Sequence, residues 1–112
     1  MVYLTVTFIG HNGSMQELLS LAQRAERLNI DNINFPDDIW NRDVFVTQSV
    51  ILKKTDHINL TTITNPYSRH PVLIARAAAS LIELGPRRIR ICFCAGGSFT
   101  LKPLNIPMWQ KP

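Results

Sequence analysis

Cysteine is scarce: two in 112 residues, too few for a disulfide framework. Long apolar runs are missing as well, and none approaches the ~20 residues of a membrane span. Basic residues do not interleave with aromatics, so nothing indicates a nucleic-acid surface. The apolar opening, Val2 to Ile9, has no basic leader and no small-residue cleavage site. It is expected to be a first strand and not a secretory signal. No repeat and no internal linker divides the chain. These absences leave the cytoplasm as the expected location, with neither membrane nor nucleic acid as a partner.

What is present is a globular composition, 46% hydrophobic and 18% charged. The length suits about one small domain. Twelve basic residues against eight acidic ones give a net charge of +4. That balance fits ordinary solubility, or an anionic partner such as a phosphate or a polyanionic cofactor.

Four apolar, β-branched runs stand out: Val2 to Ile9, Asp31 to Phe35, His57 to Thr64 and Arg88 to Cys94. Helical patterns fill the gaps, so parallel βαβ units are predicted. Ser14 and Glu17 form a capping-box pair, followed by Leu18, Leu21, Ala22, Ala25 and Leu28 at helical spacing. Asp43 is the N-cap expected for a second helix running through Val46, Val50 and Ile51 and closed by Lys53 and Lys54. Pro71 opens a third, with Leu73, Ala77, Ala78, Leu81 and Ile82 as its expected buried face. Gly85 is expected to end it in the left-handed conformation, ahead of Pro86. The tail from Phe99, rich in proline, reads as a loop. The order is β-α-β-α-β-α-β, with an unpaired edge that invites association.

Function in parallel sheets gathers at the carboxyl ends of strands. After the first run, Gly10-His11-Asn12-Gly13-Ser14 is either a strand-to-helix turn or a phosphate cradle. After the second, Asp37 and Asp38 share a proton, or hydrogen-bond a polar ring, or sit in a solvated turn. After the third, Thr64-Asn65-Pro66-Tyr67-Ser68-Arg69-His70-Pro71 crowds polar groups together; Tyr67 and Arg69 are candidate ligand contacts, or the loop is simply capped. After the fourth, Gly96 and Gly97 allow close backbone approach. Cys92 and Cys94 fall on one strand face and are expected to be small buried thiols; no metal site is expected.

Asn41 to Thr47, Thr64 to Pro71, Leu81-Ile82-Glu83-Leu84 and Ala95-Gly96-Gly97, in that order, resemble the bacterial luciferase-like flavin oxidoreductases. The branch most similar is the methylene-tetrahydromethanopterin reductases, which use the deazaflavin coenzyme F₄₂₀. The resemblance covers nearly the whole chain and the first third of a family member.

It implies the first half of a (β/α)₈ TIM barrel, with residues 1–112 as one truncated domain and 99–112 as its tail. It implies hydride transfer, without a metal, between F₄₂₀ or FMN and a small organic substrate such as a methylene-tetrahydropterin, or monooxygenase-type chemistry. Asp37 and Asp38 are the catalytic candidates: by resemblance Asp37 matches the acid that follows the second strand, and Asp38 stands where family members often carry a histidine. Thr62, Ile63, Thr64, Asn65, Gly96, Gly97 and Ser98 are the cofactor-binding ones. The Thr62-Ile63 bond matches a non-proline cis peptide behind the ring. Departures are present: Cys92 and Cys94 replace glycines, Thr7 stands where the reductases carry glutamate, and Gly97 stands where an acid is common. A barrel of this type takes about 250 residues. Two further readings are an inactive half-barrel that associates with itself or a complementary half, without cofactor, and a flavodoxin-like doubly wound domain.

Overall fold

The structure, a computed structural model, describes residues 1–9 and 13–108. The candidate phosphate cradle at Gly10, His11 and Asn12 lies outside the described residues. Strands β1 (Thr5–Thr7), β2 (Asn32–Pro36), β3 (Asn59–Thr64) and β4 (Ile89–Phe93) alternate with helices α1 (Met15–Arg27), α2 (Val44–Lys54) and α3 (Pro71–Leu84). A short α4 (Ser98–Leu101) and a 3₁₀ turn (Lys102–Leu104) follow. The strands pair in parallel in the order β1-β2-β3-β4. That is the arrangement of half a (β/α)₈ barrel. It excludes the doubly wound alternative, whose strand order reverses at a switch point.

Local chemistry starts each helix. Ser14 Oγ accepts from the Glu17 amide while the Glu17 carboxylate accepts from the Ser14 amide, the full capping box. Asp43 Oδ1 accepts from the Phe45 and Val46 amides. The His70 ring accepts from the Val72 amide ahead of Pro71. The helices bury Leu19, Ala22, Ala25, Phe45, Ile51, Leu52, Ile74 and Leu81 against Ile33, Phe35 and Leu60 of the sheet. Among the described residues, no helix covers the opposite, concave face of the sheet.

Several expectations need correcting. Leu21, Leu28, Leu73 and Ile82 are exposed, while Leu19 and Ile74 are buried in their place. Among the described residues the sheet stops at β1 and β4, so only the central stripe of each helix is covered. Gly85 is not left-handed, with φ −144°. Pro86 pushes the residue before it to extended backbone, and Arg87 takes the left-handed turn at φ 66°. Gly85 serves close approach instead: a Cβ there would lie 2.5 Å from Leu52 Cδ2. Cys92 and Cys94 are exposed and not buried, because among the described residues no layer covers the concave face they share; the Cys94 thiol donates to the Thr64 carbonyl at 3.3 Å. The tail is not all loop. The chain turns into α4 after Gly97, and Leu101 is buried beside Asn65 and Gly96.

At the amino ends of the strands, the loop before β3 is clamped. Glu26 accepts from the amides of Asp56, His57 and Ile58 at 2.8–3.0 Å. Arg88 donates to the carbonyls of Thr55 and Ile58, both at 2.9 Å, and to the Thr55 hydroxyl. Burial would raise the Glu26 carboxyl, but the three amides and His57 outweigh it and hold it below the usual carboxylate range.

Candidate functional site

The carboxyl ends of β2 and β3 meet at one ion-pair cluster. Asp37 follows β2 directly, and its amide donates to the Ile63 carbonyl at 2.8 Å, continuing the ladder. Its carboxylate receives Arg69 in a two-pronged grip, Nε to Oδ2 at 2.9 Å and Nη2 to Oδ1 at 3.0 Å. The Thr64 hydroxyl donates to Oδ2 at 2.8 Å. Arg69 also donates to Asp43 Oδ2 at 3.0 Å and lies 5.0 Å over the Phe45 ring. One guanidinium thus ties the end of β2, the start of α2 and the loop before α3 together. A bidentate pair of this kind is geometrically specific as well as strong.

The electrostatics follow from that geometry. The Asp37 hydrogen bond foremost, and then Asp43, raise the Arg69 pKa against the opposing effect of burial. Burial alone would raise the Asp43 carboxyl. The Val46 amide, Arg69 and the Phe45 amide overcome it and hold the group below its ordinary value. Asp37 is an acceptor on both oxygens, with a side chain only 8% exposed.

Asp38 points elsewhere. Its carboxylate accepts from the Trp40 and Asn41 amides and the Asn41 side chain at 2.8–3.0 Å, closing a turn. Asn65 caps its own loop, accepting from the Tyr67 and Ser68 amides at 3.0 and 2.8 Å. A cleft of about 380 Å³ opens over the cluster, lined by Asp37, Asp38, Asn41, Asp43, Arg69 and Thr100. Trp40, next to the lining residue Ile39, donates its indole N–H to the Phe99 carbonyl at 3.3 Å.

The strand residues separate by face. Thr62 is fully buried and donates to Gln48 Oε1 at 2.9 Å, so its side chain enters the helix layer and not the barrel mouth. Ile63 alternates to the concave side, in register with Pro36 and Cys92. The peptide between Thr62 and Ile63 is trans; no cis bond occurs among the described residues. The regular ladder through Phe35, Thr62 and Ile91 accommodates trans geometry without interruption. Gly96 takes φ +78°, and a Cβ on it would meet Leu101 at 2.9 Å and Asn65 at 3.2 Å. Gly97 faces open space, and Ser98 starts α4.

The structure therefore brings Asp37, Thr64 and Asn65 into one region, with Gly96 packed beside Asn65. It turns Thr62 away and gives Asp38 a turn-closing place. Asp43 is an ion-pair partner of Arg69 as well as a helix cap. Asp37 and Arg69, 32 positions apart, meet because two loops converge over the sheet. No group of three or more metal-ligating side chains occurs among the described residues, and no helix is long and apolar enough to cross a membrane.

Comparison with known proteins places these features. Residues 1–101 match the family described as luciferase-like monooxygenase. The chain is 34% identical over 92 residues to a 5,10-methylenetetrahydromethanopterin reductase of Methanolobus tindarius, covering 81% of this chain and 28% of that protein. A reductase of the same name from Archaeoglobus fulgidus is 31% identical over 97 residues, covering 86% and 29%. Among solved structures, the coenzyme F₄₂₀-dependent tetrahydromethanopterin reductase of Methanopyrus kandleri superposes with a TM-score of 0.88 at 23% identity. It covers 95% of this chain and 30% of that one. An F₄₂₀-dependent secondary alcohol dehydrogenase, solved with an F₄₂₀–acetone adduct, gives 0.78 at 20% identity, covering 92% and 35%. The chain spans under a third of the length of the curated relatives it matches.

Proposed function

The chain belongs to the luciferase-like monooxygenase family, and from that premise we propose that its completed barrel transfers hydride between F₄₂₀ or FMN and a small organic substrate such as a methylene-tetrahydropterin. The observation that carries this reading is the family match across residues 1–101, which spans every strand and the Asp37–Arg69 cluster at the mouth.

The residues present fit the ring face of such a cofactor. Ile63 and Pro36 offer an adjacent apolar surface on the concave side. Gly97 leaves open space beside the mouth. The anionic tail must find its cations elsewhere: Arg69 is taken by Asp37 and Asp43, and Arg42 donates to the Gly13 carbonyl. When bound, the ring supplies the hydride chemistry. This chain's own groups orient it. A carboxylate offers roughly four acceptor sites. Arg69 and Thr64 take three on Asp37, leaving one for the ring or the substrate. Thr62 contributes through its backbone, and Asp38 through the turn it closes.

The test is equilibrium dialysis of F₄₂₀ and of FMN against the protein from its natural source, with its intact mass measured alongside. Saturable binding of either, weakened by Asp37→Asn, is expected. Failure of a full-length barrel to bind both would overturn the reading.

A second reading rests on the two open sheet edges and the uncovered concave face. The 112 residues alone are then inactive, and serve as a half-barrel that must associate to bury its edges.

A further inference from the structure

Cys92 and Cys94 are the only cysteines of the chain, and both are free and exposed. They stand two positions apart at β4. Cys92 is in register with Ile63 of β3, and the Cys94 amide donates to the Thr64 carbonyl at 2.8 Å, so the ladder runs through both. Strand alternation therefore sets both side chains on the concave face, beside Ile63. This placement follows from the pairing of β3 with β4 alone, whatever lies opposite. The Cys94 thiol also donates to the Thr64 carbonyl at 3.3 Å, a weak bond to an oxygen that the amide already satisfies.

Two chemistries are open to such a pair, and strand spacing decides between them. At about 3.3 Å of rise per residue, alternate Cα atoms stand about 6.6 Å apart, and their Cβ atoms about as far, because both point the same way. A disulfide needs Cβ atoms about 3.5–4.5 Å apart. Closing one here would pull the end of β4 out of its ladder with β3. A single bridging atom fits without that movement. Two metal–thiolate bonds of about 2.3 Å each span up to about 4.6 Å between the sulfurs. Two thiols leaning toward each other along the strand reach that separation.

The ligand count selects the metal. Zinc takes four protein ligands in structural sites and three in catalytic ones. No group of three or more metal-ligating side chains occurs among the described residues. A soft monovalent ion held by two thiolates in a line needs no third, and thiolates select copper(I). Bound that way, the ion displaces both thiol protons and leaves a bis-thiolate with one net negative charge. Arg90 lies two positions before Cys92 on the same face. Its guanidinium donates to the Tyr3 hydroxyl, and none of the ion pairs among the described residues reaches it. A cation with no acidic partner thus stands beside the anion that forms.

We infer that Cys92 and Cys94 form a two-coordinate site for a soft monovalent metal ion, with copper(I) as its ligand, at the carboxyl end of β4. The site is separate from hydride transfer and does not depend on that reading. No electron moves in loading it. Two S–H bonds break, two S–Cu bonds form, and two protons leave to solvent.

Copper(I) held by bicinchoninate is offered to the full chain without oxygen, and loss of the coloured complex is followed. Wild type should take one ion per chain. Cys92→Ser and Cys94→Ser should each bind at least about 100-fold more weakly, since either change removes the intramolecular second bond. Wild type alone gives a second readout: one equivalent of copper should shield both thiols from a disulfide reagent. No transfer, binding by either single variant equal to wild type, one ion per two chains, or shielding of one thiol only would each overturn the inference.

Discussion

The guanidinium of Arg69 holds both oxygens of Asp37, at 2.9 and 3.0 Å, across a gap of 32 positions in sequence. The pair fixes the loops at the mouth before any ligand arrives. Removing the cation leaves a carboxylate that is only 8% exposed without its main partner. Arg69→Met should therefore cost about 3–5 kcal/mol in urea denaturation. Arg69→Lys should recover part of that but not the two-pronged geometry. A loss below about 1 kcal/mol for Arg69→Met would show the cluster to be solvent-screened like a surface pair.

Glu26 should make stability fall in acid. Its folded carboxyl is depressed below the ordinary glutamate value of 4.5. The stabilisation is fully present above that value and is lost as pH falls through the lower, folded value. Asp43 adds to the same trend. Glu26→Gln should cost about 1–3 kcal/mol at neutral pH. Urea midpoints of variant and wild type should converge once pH is well below 4.

Two glycines should respond oppositely to alanine. Gly85→Ala places a methyl 2.5 Å from Leu52 Cδ2 inside the core, with no strain in φ. A loss of about 1–3 kcal/mol is expected from overpacking. Gly97→Ala meets nothing within 4 Å and should leave the melting temperature nearly unchanged. Calorimetry on both variants checks the pair.

The thiols of Cys92 and Cys94 should titrate with a disulfide reagent in the native state, without denaturant, since both residues are exposed on the concave face at β4. Protection of both until unfolding would mean that something already covers this edge in solution.

The existence and order of the elements were legible in the sequence because their punctuation is local. Ser14 with Glu17, Asp43 ahead of Phe45, and Pro71 after His70 each act within three or four residues. Burial was read less well. Periodicity marks a stripe on each helix, but it cannot say how wide the neighbouring layer is. Leu73 and Ile82 lie at the margins of a layer that stops at β4. Gly85 departs from the left-handed turn its position predicts because Pro86 holds the residue before it in extended backbone. In the site, Asp37 and Arg69 were each picked out, yet their partnership depends on two loops meeting over the sheet. Thr62 followed from the family resemblance. Strand alternation sends its side chain to Gln48.

The stretch from Thr55 to Ile58 is a surface loop with no slack. Glu26 occupies its amides and Arg88 its carbonyls. An insertion there would have to break one set of bonds or the other, so grafted peptides belong elsewhere. By the clock of proton exchange, this loop should keep time with the strands it joins and not with the solvent around it.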